Sequence, residues 1–369
     1  MADEIEDILS RGANSLDITP TMFKEATSHY EAVGVFLGNN GIEADVSPCG
    51  SILTGTVVRP YSENDDAYFD IDVLVDRTGH LPQSTRPEEA RRQVENALLD
   101  SDRYSGMATT CRECETVAFV ANGTEGGFRL DLNTCVKSRN GALVTSAHGE
   151  KSVAIAWKNP GEWHGSNPRG LCEWFIEKNE RFAAAGRELR KAEIFEGSKG
   201  VFGSVEEVPD SLDRSAMQRA VQVLKRSRDE YYARCRKPEH KPASCVIMVI
   251  VGYLSDELAD DTSIVDFLLQ FAKRACTILS VGPSTKALAN PVYDENMIES
   301  WEAIDFEIFS SWTKDISQNI TDLREGTPTK RSMAAEAVFG SKAGKKAFPI
   351  SFATTAMPSA VTPSKPWAK

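Results

Sequence analysis

The sequence predicts an α+β protein in two lobes: a mixed-sheet core over residues 1–168 and a helical domain over residues 169–325. Two observations carry this. Up to about residue 168, short apolar runs with strand-like alternation are separated by Gly, Pro, Asn and Asp punctuation. From Arg169 onward the apolar residues recur at helical spacing in longer windows. A chain of 369 residues with 41% hydrophobic content has ample material for one large two-lobed globule or two domains.

Taken in order, residues 20–40 have helical spacing of apolar side chains with Thr19 as cap, and are expected to form a long spine helix joining the lobes. Residues 45–75, 111–121, 127–136 and 151–157 read as strands, and residues 87–100, rich in Glu, Ala and Arg, as a helix between them. Helices follow over 171–184, 211–236, 244–258, 263–279 and 297–323. Asn167-Pro168 is a good helix start, with Trp174 and Phe175 then packing in the core. Gly197-Ser198-Lys199-Gly200 and Gly203-Ser204 read as a flexible connection. Residues 326–369, rich in Pro, Ser, Thr, Ala and Lys, read as a disordered tail.

The chemistry lies in the first lobe. In Phe69-Asp70-Ile71-Asp72-Val73-Leu74-Val75, residues two apart on a strand share a face, so Asp70 and Asp72 project together while Phe69, Ile71 and Val73 face the core. Two adjacent carboxylates repel each other unless a cation lies between them, which points to a hard divalent metal. Asp131, within Phe128-Arg129-Leu130-Asp131-Leu132, supplies a third carboxylate on a second strand, enough oxygen ligands for a two-metal phosphoryl-transfer site. Upstream, Gly50-Ser51 offers a glycine that lets the backbone approach a polyphosphate. The serine hydroxyl and nearby N–H groups can bond its oxygens, the more so if a helix begins there.

The order Gly-Ser, Asp-x-Asp on a strand, later strand Asp resembles the polymerase-beta-type nucleotidyltransferases. Three stretches are similar to one branch, the bacterial CD-NTases: cyclic oligonucleotide synthases related to animal cyclic GMP-AMP synthase and 2′-5′ oligoadenylate synthase. They are Gly50 to Pro60 leading into Phe69-Asp70-Ile71-Asp72, Ser166 to Phe175, and Val221 to Asp229. One departure is Leu132-Asn133-Thr134-Cys135, where the family often has small apolar residues and proline; it leaves the local strand end open.

The resemblance implies a polymerase-beta-like core with a C-terminal helical lobe. It also implies an enzyme that condenses nucleoside triphosphates into a cyclic di- or trinucleotide messenger with release of pyrophosphate, as in CBASS anti-phage signalling. Asp70, Asp72 and Asp131 would hold Mg²⁺, with Mn²⁺ as an alternative. Gly50 and Ser51 would hold the β- and γ-phosphates. Lys225 lies on a basic helix face that is either simply solvated or, by the resemblance, reaches the triphosphate. Implied partners are a downstream effector activated by the cyclic nucleotide and a ubiquitin-transfer-like ancillary protein acting on the C-terminal tail, although an inert tail is the favoured reading. Two rivals stay open: a linear nucleotidyltransferase adding NMP to RNA or protein, and a silent nucleotide- or RNA-binding sensor.

Composition excludes other classes. The net charge is −12; residues 326–369 carry +6 and residues 1–325 carry −18, so gripping nucleic acid is not expected to be the main task. No run approaches the roughly 18 apolar residues that cross a bilayer, and the N-terminus is acidic, so the expectation is a cytoplasmic protein without a membrane anchor. Eight cysteines without regular spacing fit reduced thiols. Cys111-Arg112-Glu113-Cys114 could be half of a zinc site, but no second pair follows, and Cys135, Cys172 and His148 are scattered.

Overall fold

The computed structural model describes residues 2–59, 68–111, 114–119, 127–137, 149–157, 161–197, 214–281 and 287–349. Among the described residues, seven strands form one sheet: β1 (Asp45–Pro48), β2 (Tyr68–Asp76), β3 (Ala108–Thr110), β4 (Glu115–Phe119), β5 (Gly127–Lys137), β6 (Val153–Ala156) and β7 (Trp163–Ser166). The order is β1-β2-β5-β4-β3, with β6 paired to the end of β5 and β7 to β6. Among these described strands β2 and β5 pair parallel and the other pairings are antiparallel, so the sheet is mixed as expected.

The alternation in β2 does what the sequence requires. Phe69, Ile71, Val73 and Val75 are buried in one hydrophobic cluster with Val117, Leu130 and Leu132 of the neighbouring strands. That cluster is covered by two helices, α2 (Pro20–Asn39) and α4 (Pro87–Leu99), which contribute Met22, Ala26, Val33 and Leu37, and Val94 and Leu98. Helix α2 starts where the sequence places it, with the Met22 N–H donating to Thr19 Oγ1 at 3.1 Å.

The expected strand over 45–75 is in fact β1, a single helical turn α3 (Gly50–Leu53), and β2. The strand expected over 111–121 is the short β4, preceded by a chain reversal at Cys111 where the Cys111 N–H donates to the Cys114 carbonyl at 3.0 Å. Past Asp131, β5 runs on to Lys137, because Thr134 and Cys135 are buried and the Asn133 side chain donates to the Asp131 and Val73 carbonyls.

The second lobe is helical: α5 (Pro168–Gly197), α6 (Ala216–Arg234), α7 (Ser244–Ser255), α8 (Ile264–Val281) and α9 (Ala303–Glu325). Its core joins Phe175, Leu224, Val249, Phe267, Phe271 and Trp312, among others. Helix α1 (Ala2–Asn14), not anticipated from the sequence, packs Ile5, Ile8, Leu9 and Ala13 into this second core. The buried residues of α2 belong to the sheet core and those of α1 to the helical core, so the chain passes from one core to the other at the corner between α1 and α2.

A second correction concerns the tail. Pro328–Phe339 (α10) and Ser341–Ala347 (α11) are helices, and Ala335, Phe339 and Ala347 are fully buried in the helical core. Small residues allow this: a Cβ at Gly344 would strike the Glu336 backbone, so α11 crosses α10 at near contact. Residues 350–369 of the expected tail lie outside the described residues, as do Ser198–Gly200 and Gly203-Ser204 of the expected flexible connection. Among the described residues, no helix is long and apolar enough to cross a membrane.

Candidate active site

Register assembles the site. In the parallel β2–β5 pair, Asp72 stands opposite Asp131 and Asp70 opposite Arg129. Neighbouring strands lie about 4.8 Å apart and residues two along a strand share a face, so Asp70, Asp72 and Asp131 form a triangle on the face opposite the Phe69–Ile71–Val73 core. Asp70 lies exposed at its rim, while Asp72 and Asp131 are half-buried. Burial, then Asp131 and Asp70, pushes the Asp72 carboxyl up to about 6. Burial also raises Asp70, with Asp131 adding to it and Arg129, Lys225 and Lys241 opposing. Asp131 is raised by burial and eased by the Thr116 hydroxyl, which donates to Asp131 Oδ1 at 2.7 Å from the facing position on β4.

Like charges held on one face and partly desolvated are costly without a counter-cation. Three acceptor-only carboxylates are a hard donor set that suits Mg²⁺ or Mn²⁺ and would not suit a soft metal. The residues therefore fit the metal expected from the sequence. Among the described residues, no group of three or more His, Cys, Asp or Glu side chains stands close enough together to hold a metal ion as placed.

The Gly50-Ser51 turn is fastened to this triangle. The Cys49 N–H donates to the Asp72 carbonyl at 2.8 Å. Gly50 has φ +67°, and a Cβ there would collide with Asp72 Oδ2. The chain thus needs glycine for backbone conformation and for close approach at the same position. The Gly50 N–H donates to Cys172 Sγ at 3.2 Å, so that group is already committed and Gly50 offers proximity rather than a phosphate donor. Cys172 itself hangs from the first turns of α5, which starts as expected with Asn167 Oδ1 accepting from the Gly170 N–H at 2.9 Å.

Gly50→Ala is expected to cost about 1–2 kcal/mol through the left-handed backbone alone and to displace the Asp72 carboxylate as well. Turnover should therefore fall by more than a thermal melt explains. A G50A enzyme with unchanged turnover would contradict this arrangement.

After the turn, residues 54–59 run along α6, whose polar face receives their carbonyls. Gln218 Nε2 donates to Thr54 O at 2.9 Å, Lys225 Nζ to Thr56 O at 3.1 Å and Gln222 Nε2 to Val57 O at 2.8 Å. Arg214, just before the helix, donates to Gly55 O, and Arg226 to Arg59 O. The spacing 218, 222, 225, 226 is one helical face. Lys225 therefore stands beside the segment that follows the Gly50-Ser51 turn, with one of its three hydrogens on that segment's backbone. Burial, reinforced by Arg228, pushes its ammonium down to about 8, with Asp229, then Asp72 and Asp70, opposing.

The network closes on Asp17 in the α1–α2 corner. Asp17 accepts from Arg219 Nη1 at 2.8 Å, Gln222 Nε2 at 3.0 Å and Arg214 Nε at 3.1 Å, and all of these side chains are buried.

Reasoning from sequence missed Thr116, Cys172, Gln218 and Asp17. Nothing local marks them, because each acts across strands or between lobes. Lys241, whose charge reaches Asp70, was likewise unmarked.

No family model matches the chain. It is similar to a curated c-di-GMP synthase of Roseivirga ehrenbergii, 23% identical over 304 residues, covering 81% of this chain and 73% of that protein. Among solved structures it superposes on the Bradyrhizobium diazoefficiens CD-NTase CdnG in complex with GTP. The TM-score is 0.69 at 19% identity, with 93% of this chain and 98% of that one covered. A second is CdnC of Escherichia coli MS115-1, in complex with HORMA-deltaN, at TM-score 0.59 and 14% identity, with 91% and 96% covered. The fold is the α+β nucleotidyltransferase fold of these solved structures, and the resemblance read from the sequence is borne out.

Proposed function

We propose that this chain is a metal-dependent nucleotidyltransferase that joins nucleoside triphosphates into a cyclic di- or trinucleotide and releases pyrophosphate. The observation that carries it is the parallel register setting Asp72 beside Asp131, with Asp70 on the same face and the Gly50 turn packed against Asp72. Asp70, Asp72 and Asp131 would hold Mg²⁺ or Mn²⁺. When bound, the metal lowers the pKa of the attacking ribose hydroxyl and offsets the charge on the departing pyrophosphate.

The protein's own contribution is positioning. Asp72 and Asp131 are fixed by the parallel ladder, and Thr116 holds one Asp131 oxygen in place. Gly50 brings the turn close, the Ser51 hydroxyl is assigned to the β- and γ-phosphates, and Lys225 supplies positive charge from the other lobe. In an acidic body, such local cations decide where a triphosphate can settle.

The names of the Roseivirga relative and of the GTP-bound neighbour make guanine nucleotides the first substrates to test, with c-di-GMP as the first product to seek. The anti-phage setting, a cyclic-nucleotide-activated effector and an ancillary protein extend the same reading, the last supported by the HORMA complex of CdnC.

Because the Lys225 ammonium is pushed down to about 8, its positive charge is present below that pH and fades above it. The kcat/KM for the nucleotide, which reports the free enzyme, should therefore fall as pH rises through about 8. Lys225→Arg, charged at all accessible pH, should move that fall to higher pH. A pH profile that K225R leaves unmoved would remove Lys225 from triphosphate binding.

A further inference from the structure

The turn between β3 and β4 holds a thiol pair that the proposed reaction does not use. Cys111 Sγ and Cys114 Sγ are 2.7 Å apart, both thiols are free, and a disulfide bond is about 2.05 Å long. Cys111 is exposed and Cys114 buried. Two hydrogen bonds link the pair: the Cys114 N–H donates to Cys111 Sγ at 3.1 Å, and Cys111 Sγ donates to Cys114 O at 3.0 Å. Buried Arg91 of α4 donates through Nη2 to both carbonyls, Cys111 O at 2.9 Å and Cys114 O at 3.0 Å, while its Nε donates to Glu115 Oε1 at 2.8 Å. A second chain of contacts leads inward. Cys114 Sγ lies 3.7 Å from Thr116 Oγ1, whose hydroxyl donates to Asp131 Oδ1 at 2.7 Å.

We propose that Cys111 and Cys114 are a redox modification site, closing reversibly to a disulfide that withdraws a thiol hydrogen from the Thr116–Asp131 contact. The exposed Cys111 thiolate attacks a low-molecular-weight disulfide; that S–S bond breaks, a mixed disulfide forms on Cys111, and one small thiolate leaves. Cys114 then attacks the Cys111 sulfur and expels the second small thiolate. The two cysteine protons end on the two released thiols. The protein pair has lost two electrons and the oxidant has gained them. Arg91 bridges the two carbonyls and the β3–β4 ladder pairs Thr110 with Glu115 on either side, so closure requires the sulfurs to approach by less than an ångström.

The effect on Asp131 rests on the proposed role of that carboxylate, whereas formation of the bond does not. The test treats full-length protein with oxidised glutathione, blocks the remaining thiols with an alkylating reagent and maps disulfide-linked peptides by mass spectrometry. Wild type and Cys111→Ser are compared, before and after reduction with a dithiol. The expected result is a Cys111–Cys114 link in wild type that reduction reverses. Product formation should fall about tenfold on oxidation and recover on reduction, and C111S should show neither change.

Alkylation of both cysteines after oxidation would overturn the proposal. So would a mapped link that leaves turnover and Mg²⁺-dependent nucleotide binding unchanged. Failure of the reduced protein to bind nucleotide with Mg²⁺ at all would count against the synthase reading, and the peptide map would still decide whether the disulfide forms.

Discussion

Asp72→Asn should abolish product formation while leaving the protein folded. Removing a preorganised charge from a phosphoryl-transfer site typically costs about a hundred- to a thousandfold, and loss of the metal ligand proposed for Asp72 would belong at the upper end. The fold should tolerate the change, because Asn is nearly isosteric and Asp72 stands among repelling carboxylates rather than in a salt bridge. Without metal, the variant should melt no lower than wild type. Adding Mg²⁺ with nucleotide should raise the melting temperature of wild type, since a ligand that binds only the native state stabilises it, and should do little for D72N. A variant that melts far below wild type would mean that the carboxylate is structural. One that still turns over would remove Asp72 from the site.

Asp17→Ala should have the largest effect on stability. Asp17 is a buried acceptor shared by Arg214, Arg219 and Gln222, and its removal takes this carboxylate away from two buried guanidinium groups. Breaking a buried ion pair by deleting one partner costs about 3–5 kcal/mol. The loss should also propagate, because Arg214 and Gln222 hold the carbonyls of Gly55 and Val57 just beyond the Gly50-Ser51 turn. Activity should therefore drop at temperatures where D17A is still folded. Denaturant titration gives the first quantity and turnover well below the melting temperature the second. A stability change below about 1 kcal/mol would show that the lobes are held chiefly by their apolar contacts.

How much of this was legible in the sequence follows from where the information lies. Asp70 and Asp72 on one strand face, the Thr19 cap and the Asn167-Pro168 helix start are local patterns, and each is found where local physics puts it. The pairing of Asp72 with Asp131 is not local, since it depends on which strands meet and in what register. The α6 face that receives the backbone of residues 54–59 reads in sequence as an ordinary polar helix face, and only the approach of the other lobe gives it meaning.

Helix α1 was readable, since Ile5, Ile8, Leu9 and Ala13 keep the helical spacing of one buried face. Helices α10 and α11 were harder. Alanine and glycine bury little area, so the packing that holds them comes from close backbone approach, as at Gly344 against Glu336, rather than from a strong apolar stripe. Their Ser, Lys and Ala content imitates the composition of a disordered terminus.

The measurement that tests the central claim most directly is incubation of the purified full-length protein with all four nucleoside triphosphates and Mg²⁺ or Mn²⁺. Phosphatase treatment and mass spectrometry follow, with D72N alongside. The account predicts a phosphatase-resistant species at the mass of a cyclic di- or trinucleotide, formed by wild type, absent from D72N and lost on chelation of the metal. Only linear, phosphatase-sensitive products, or a cyclic product that D72N makes equally well, would contradict it.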